Sequence, residues 1–150
     1  MKSLILSLVL LLTLSCNNID DNNSFVPQTI TPVIIGNGHL NYNSIYTQQN
    51  LVITNNSDWQ ILLNNFNSIN NSITTTFSET NIDFNNFDVL IAIDAKNSST
   101  SIDITNIVEN INNIIVTIQN LQLGITQDVA NPFHIVKIPK TTKLIVFQYK

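Results

Sequence analysis

Arginine is absent from the 150-residue chain: the six basic residues are all Lys, at positions 2, 96, 137, 140, 143 and 150, against ten Asp and Glu. Without Arg there is no planar, bidentate fork for phosphates or carboxylates. Lysines so few and scattered do not make the clustered positive surface that nucleic-acid binding requires, so no nucleic-acid partner is expected. Cysteine occurs once, as Cys16, which leaves no intrachain disulfide and no thiolate-rich metal site. Histidine occurs twice, at His39 and His134, in separate segments and without metal-ligand spacing. Only three Gly are present. They form neither a phosphate-cradling loop nor a Gly-x-Ser-x-Gly nucleophile elbow. No cofactor motif and no metal set are therefore expected. In their place the chain has 25 Asn and 24 Ile. That bias resembles an A/T-rich coding background, which makes a single Asn a poor functional marker. The length suits one domain with a real core.

The N-terminus reads as an address. Lys2 precedes an apolar run over residues 4–14, broken only by Ser7 and Thr13. As a helix it would extend roughly 16 Å, about half a bilayer core, which fits a signal h-region and not a span. The run ends at Thr13-Leu14-Ser15-Cys16, and a small residue before Cys after a leucine run resembles the bacterial lipobox. That resemblance implies a lipoprotein signal peptide over 1–15 and acylation of Cys16; an ordinary secretory signal ending near a cysteine is the plainer alternative. Acyl chains contribute about 0.8 kcal/mol per buried CH₂, so several would anchor the protein to the membrane. Residues 16–32 are polar and acidic and end near Pro27 and Pro32, as in a flexible tether. The residue after Cys16 is Asn17 and not Asp, which resembles the outer-membrane side of the lipoprotein sorting rule. Asp20-Asp21 resembles an acidic surface-export signal, or is simply a solvated linker. The expected location is the cell envelope, as an outer-membrane lipoprotein facing the periplasm or the surface.

Residues 33–150 read as a single globular domain of short, Ile-rich strands separated by Asn, Ser and Thr clusters. Val33-Ile34-Ile35 precedes a turn signal at Gly36-Asn37-Gly38, and residues 42–46 suggest an irregular edge strand. Leu51-Val52-Ile53 is a further strand. Trp59, Leu62, Leu63 and Phe66 fall at i, i+3, i+4 and i+7, which predicts a helix over about 58–67 with one apolar face. Ser57 is placed as its N-cap, with Gln60 completing a capping box. Residues 87–95 read as a central strand, with Phe87, Val89 and Ile91 on one face and Leu90 and Ala92 making the other apolar too. Residues 102–105 and 114–121 suggest a hairpin, and 133–138 with 144–149 a second one joined through 139–143. The expected fold is α+β: a mainly antiparallel sheet of five to seven strands packed with one main helix. Its structural core is expected at Trp59, Leu62, Leu63, Phe66, Phe87, Val89 and Ile91.

Catalytic chemistry finds little support. A Ser–His–Asp group would have to be assembled in space from His134 and a carboxylate such as Asp94. Most other acids alternate toward the solvent side of strands. No catalytic residue is assigned.

The most specific stretch is residues 124–139: Gly124-Ile125-Thr126-Gln127-Asp128-Val129-Ala130-Asn131-Pro132-Phe133-His134-Ile135-Val136-Lys137-Ile138-Pro139. It resembles the ending of the PrcB C-terminal-domain family, lipoproteins and secreted proteins named after a subunit of a spirochaete surface protease complex. The order of elements upstream is similar as well, so the resemblance covers about residues 48–147. A departure lies at 97–102, where family members commonly carry a Thr-Gly-Gly-Tyr type stretch and this chain has neither Gly nor Tyr. The resemblance implies a non-catalytic role in assembling or stabilising a protease at the cell surface. It singles out Thr126, Gln127, Pro132, Phe133, His134, Lys137 and Pro139 as interaction or family-motif residues. On the residues alone, Phe133 and Ile135 should face one side of a strand and His134, Val136 and Ile138 the other. Pro132 should begin that strand, His134 should be partly buried and bonded to a backbone carbonyl, and Lys137 should snorkel from a sheet edge.

The expectation is thus a lipid-anchored, non-enzymatic protein-binding module with a protein partner, reaching the membrane through Cys16. The resemblance implies that the partner is a surface or periplasmic protease. The alternatives are a small exported hydrolase using His134 with a nearby carboxylate, and a protease inhibitor presenting 139–143 or 70–81.

Overall fold

The computed structural model describes residues 25–41, 46–95, 101–121 and 131–150. Its elements are β1 (Gln28–Thr29), β2 (Val33–Leu40), β3 (Gln49–Ile53), α1 (Asn56–Ile69), a 3-10 turn (Ile73–Thr76), β4 (Phe87–Ile93), β5 (Ser101–Glu109), β6 (Asn113–Leu121), β7 (Asn131–Pro139) and β8 (Leu144–Tyr149). The strands form two four-stranded sheets, ordered β2-β7-β4-β3 and β1-β5-β6-β8. Among the described residues every pairing is antiparallel except β6 with β8.

The fold is α+β, with one main helix. Two stacked sheets replace the single sheet, because β4 and β7 are apolar on both faces and each face must be covered. On one face Val89, Ile91, Ile93, Phe133 and Ile135 meet Trp59, Leu62, Leu63 and Phe66 of α1. On the other, Leu90, Ala92, Val136 and Ile138 meet Ile102, Ile104, Ile107, Ile114, Val116 and Ile118 of the second sheet. The order of layers is helix, sheet, sheet. Phe87, at the start of β4, is only partly buried against the helix-side core.

The helix is as expected in place and face, and longer by about a turn. Its N-cap is Asn55 and not Ser57: the Asn55 Oδ1 accepts from the Asp58 N–H at 3.0 Å, and Asn55 Nδ2 donates to the Asp58 carboxylate at 2.7 Å. An amide can both accept and donate at a helix start, and with Asn55 as the cap Ser57 already lies inside the first turn, where it cannot cap. Trp59 is fully buried and its Nε1 donates to the Thr80 carbonyl at 2.8 Å, which pins the segment after the 3-10 turn to the helix.

Three local expectations change. Gly36-Asn37-Gly38 is no turn: β2 runs through it with a bulge between Ile34 and Gly36. The glycine is needed for close approach, since a Cβ at Gly36 would lie 2.5 Å from Phe77 Cδ1. The last two strands are no hairpin. Both edges of β7 are occupied, by β2 and β4, so after Pro139 the chain crosses to the other sheet and β8 lies parallel to β6, with Leu144 opposite Asn113. Asp88 clamps that crossing: its Oδ2 accepts from the Thr141 N–H at 3.0 Å and its Oδ1 lies 2.8 Å from Lys140 Nζ. Finally, Gln28–Thr29, within the stretch expected as tether, pairs with Val108 and Glu109, and Ile30 packs on the inter-sheet core.

Residues 1–15 and Cys16 lie outside the described residues, as do 42–45; Tyr46 is buried and not in a strand. Among the described residues no helix is long and apolar enough to cross a membrane.

Candidate functional site

The motif strand β7 is central, and its residues point alternately to opposite layers. Phe133 enters the helix-side core, its ring 5.0 Å from Phe66 and 6.0 Å from Phe77. His134, Val136 and Ile138 enter the layer between the sheets, as the alternation predicts. Pro132 lies opposite His39 as the second residue of β7, and its carbonyl accepts from the Asp94 N–H at 3.0 Å. Asn131, just before it, ties the Tyr46 and Asp94 carbonyls together, each at 3.1 Å. Lys137 does not reach out from a sheet edge. Flanked by β2 and β4, it runs along the Phe87 ring, 4.6 Å from the centroid, to an ion pair with Glu79 at 2.5 Å. Pro139 closes the strand and starts the crossing. Thr126 and Gln127 lie outside the described residues. The part of the motif that is described therefore builds a strand and does not converge on one surface.

His134 is the chemically loaded member. It is 2 % exposed, and its partner is no carbonyl: Nδ1 accepts from the Ile104 N–H at 2.8 Å, a bond that joins β7 to β5 across the two sheets. Asp103 Oδ1 also lies 2.8 Å from Nδ1. One nitrogen offers either a lone pair or a proton, so it serves Ile104 or Asp103 but not both. Burial pushes the His134 pKa below its ordinary 6.5, and the Asp103 charge pulls it back the other way. Desolvation is the larger effect, which leaves a neutral ring that accepts from Ile104 and carries its proton on Nε2. Nε2 has no hydrogen-bond partner among the described residues. The carboxylate beside His134 is thus Asp103; Asp94 is buried elsewhere and accepts from the Ala95 N–H at 2.8 Å.

Asp103 is half-open to a cleft of 270 Å³ between β2 and β5, which Asn37, His39 and Ser101 also line. A second cleft, of 310 Å³, runs between β3 and α1. The segments considered as inhibitor loops are tied to the body: Ser78 N–H donates to the Ile35 carbonyl at 2.8 Å, and 139–143 is held by Asp88. Among the described residues no three of His, Cys, Asp and Glu gather where a metal ion could sit.

Sheet edges are the other feature of the surface. β2 is an edge strand covered by the segment after the helix, through Ser78 at Ile35 and Asn70 Nδ2 at the His39 carbonyl, 3.0 Å. β3 and β8 pair on one side only among the described residues. Nothing in the sequence distinguished these edges, because edge or centre is a property of strand order.

Compared with protein-family models, with curated proteins and with solved structures, the chain matches none.

Proposed function

We propose that this protein is a non-catalytic protein-binding module, held at the cell envelope by lipidated Cys16, that assembles or stabilises a protein complex. The observation that carries the reading is the pair of one-sided strands, β3 and β8, whose outward N–H and C=O groups meet no other strand among the described residues. Such edges are templates for a partner strand. Among the described residues, the buried histidine and three of the lysines are engaged in holding the fold. His134 joins the sheets, and Lys137, Lys140 and Lys143 are paired with Glu79, Asp88 and Glu109. The PrcB-like ending makes a surface or periplasmic protease the partner to look for first.

The test is affinity purification of the tagged full chain from crosslinked native membranes, with mass spectrometry of the proteins that accompany it. A reproducible stoichiometric partner supports the reading. A chain recovered only as free monomer, with crosslinking controls working, overturns it.

One observation favours a second reading, a small exported hydrolase: His39, Ser101 and Asp103 share a cleft, and Asp103 touches His134. Against it, the His134 ring is closed off from that cleft's solvent by its burial. Loss of a hydrolytic activity on His134→Gln, with folding intact, would establish this reading in place of the first.

A further inference from the structure

We propose that the cleft between β3 and α1 takes an extended, basic segment of a partner protein, added as a fifth strand on the edge of β3 that no described strand occupies. This inference rests on the protein-binding reading and gives it a surface and a chemistry.

Two features meet in this place. β3 pairs through all five of its residues with β4, from Gln49 opposite Ile93 to Ile53 opposite Val89, and with nothing on its other side among the described residues. Beside that edge runs α1, whose residues 58, 61, 62 and 65 share one stripe at helical spacing and line the cleft together with Leu51 and Ile53. An added strand therefore finds main-chain groups to bond and a wall for its alternate side chains, the two halves of strand-addition recognition. β8 offers an edge too, but it belongs to the other sheet, whereas α1 packs on the sheet that contains β3.

The wall is open and apolar where it should be. Ile61 is 56 % exposed, although it is a large hydrophobic on the α1 side of a cleft. At 310 Å³ the cleft is at the small end of the range for ligand sites, enough for one or two apolar side chains and not for a cofactor. Its far end is closed by Tyr46, whose phenol is kept protonated by burial, with an Asn65 hydrogen bond pulling the other way.

Charge selects the partner. Within the described residues, Glu79, Asp88, Asp103 and Glu109 each have a cationic or imidazole neighbour. Asp58 lines the cleft with Ile53, accepts from the Asn55 amide, and is paired with no cation among the described residues; Lys140, whose Nζ reaches the Thr54 carbonyl after β3, is paired with Asp88 instead. Successive residues of an added strand alternate faces, so those at i, i+2 and i+4 point toward α1. The fitting segment has apolar residues at two of these positions and Lys or Arg at the end that meets Asp58. An acidic segment would place like charges together.

The test is a ¹⁵N NMR titration of the full chain in detergent micelles with capped pentapeptides. The probes are Leu-Thr-Val-Thr-Lys, its reversed order Lys-Thr-Val-Thr-Leu, and both with Glu in place of Lys. Expected are shifts confined to β3 and the 58–65 face of α1 with at least one Lys peptide, and slowed hydrogen exchange of the outward β3 amides. The Glu peptides should bind more weakly, by about two- to fivefold, and Asp58→Asn should erase that difference. Ile61→Glu should weaken the Lys peptide about tenfold at an unchanged unfolding midpoint; should that variant not fold, Asp58→Asn decides alone. Equal binding of Lys and Glu peptides, shifts on β8 or β5, a concentration-dependent dimer through β3, or no shifts at all would each overturn the proposal. The membrane purification above uses no peptide, so a partner found there while the titration fails removes only this surface.

Discussion

Acidification from pH 7 to 5 should destabilise the fold through His134. In the folded chain the ring lies between the sheets, accepts the Ile104 N–H on Nδ1, and has its pKa held below 6.5 by burial, against the opposing pull of Asp103. The unfolded chain takes up a proton near 6.5 and the folded chain resists it. Below 6.5 the unfolded state therefore binds more protons, and stability falls as pH falls, until the folded value is passed. The slope for one group is at most about 1.4 kcal/mol per pH unit, so the whole loss between pH 7 and 5 is bounded at about 2 kcal/mol. A second estimate agrees in size. A proton on Nδ1 would orphan the Ile104 N–H inside the protein, which costs about 1–3 kcal/mol. The assay is urea unfolding of the full chain at pH 7, 6 and 5, for wild type and His134→Gln. The variant keeps a hydrogen-bonding side chain and does not titrate, and the difference in slope removes His39 and the carboxylates. The expected difference is a wild-type loss of stability on acidification, of at most about 2 kcal/mol over this range. Relative stabilisation of the wild type on acidification would refute the reasoning, because it would mean that a His134–Asp103 ion pair prevails over desolvation.

Other outcomes rest on single contacts. Asn55→Ala should cost about 1 kcal/mol in chemical unfolding as a lost N-cap, while Ser57→Ala should stay within about 0.5 kcal/mol; the reverse order would restore Ser57 as the cap. Gly36→Ala would push a methyl into the Phe77 ring, where the ideal Cβ meets Cδ1 at 2.5 Å. It should lower stability by about 1–3 kcal/mol, with partial rescue by Phe77→Leu measured in a double-mutant cycle. Lys140→Met leaves the Asp88 carboxylate, 1 % exposed, with the Thr141 N–H and no counter-ion. Breaking a pair around a buried charge costs about 3–5 kcal/mol, and the half-exposed lysine places this one near the lower figure; thermal unfolding at pH 7 would register it.

Local pattern was a sound guide wherever burial alone decided the outcome. The stripe of Trp59, Leu62, Leu63 and Phe66 specified a helix and its inner face, because 3.6-residue periodicity leaves no other way to bury all four. The alternation through Phe133, His134, Ile135 and Val136 likewise specified which residues share a face. Steric and hydrogen-bonding details were less legible: two Gly around an Asn look like a turn, and only the Phe77 ring above Gly36 shows why glycine is there. The candidate sites were hardly legible at all. His134 was visible as a lone histidine, but its neighbours, Asp103 and the Ile104 N–H, come from a strand 30 residues away in a different sheet.

Side-chain periodicity, with the cost of leaving apolar surface in water, was enough to specify the elements. It marked which stretches are strands, where the helix lies, and that β4, apolar on both faces, must be central; that β7 is central too came only from its pairing with β2 and β4. The order of the strands emerged only in the folded chain. Because β7 is flanked on both sides, β8 has to cross to the other sheet; because β3 has a neighbour on one side only among the described residues, an edge is left open beside the helix. Strand order is set by long-range pairing between segments that carry no local mark of their partners, and with it come the inter-sheet histidine and the cleft at Asp58.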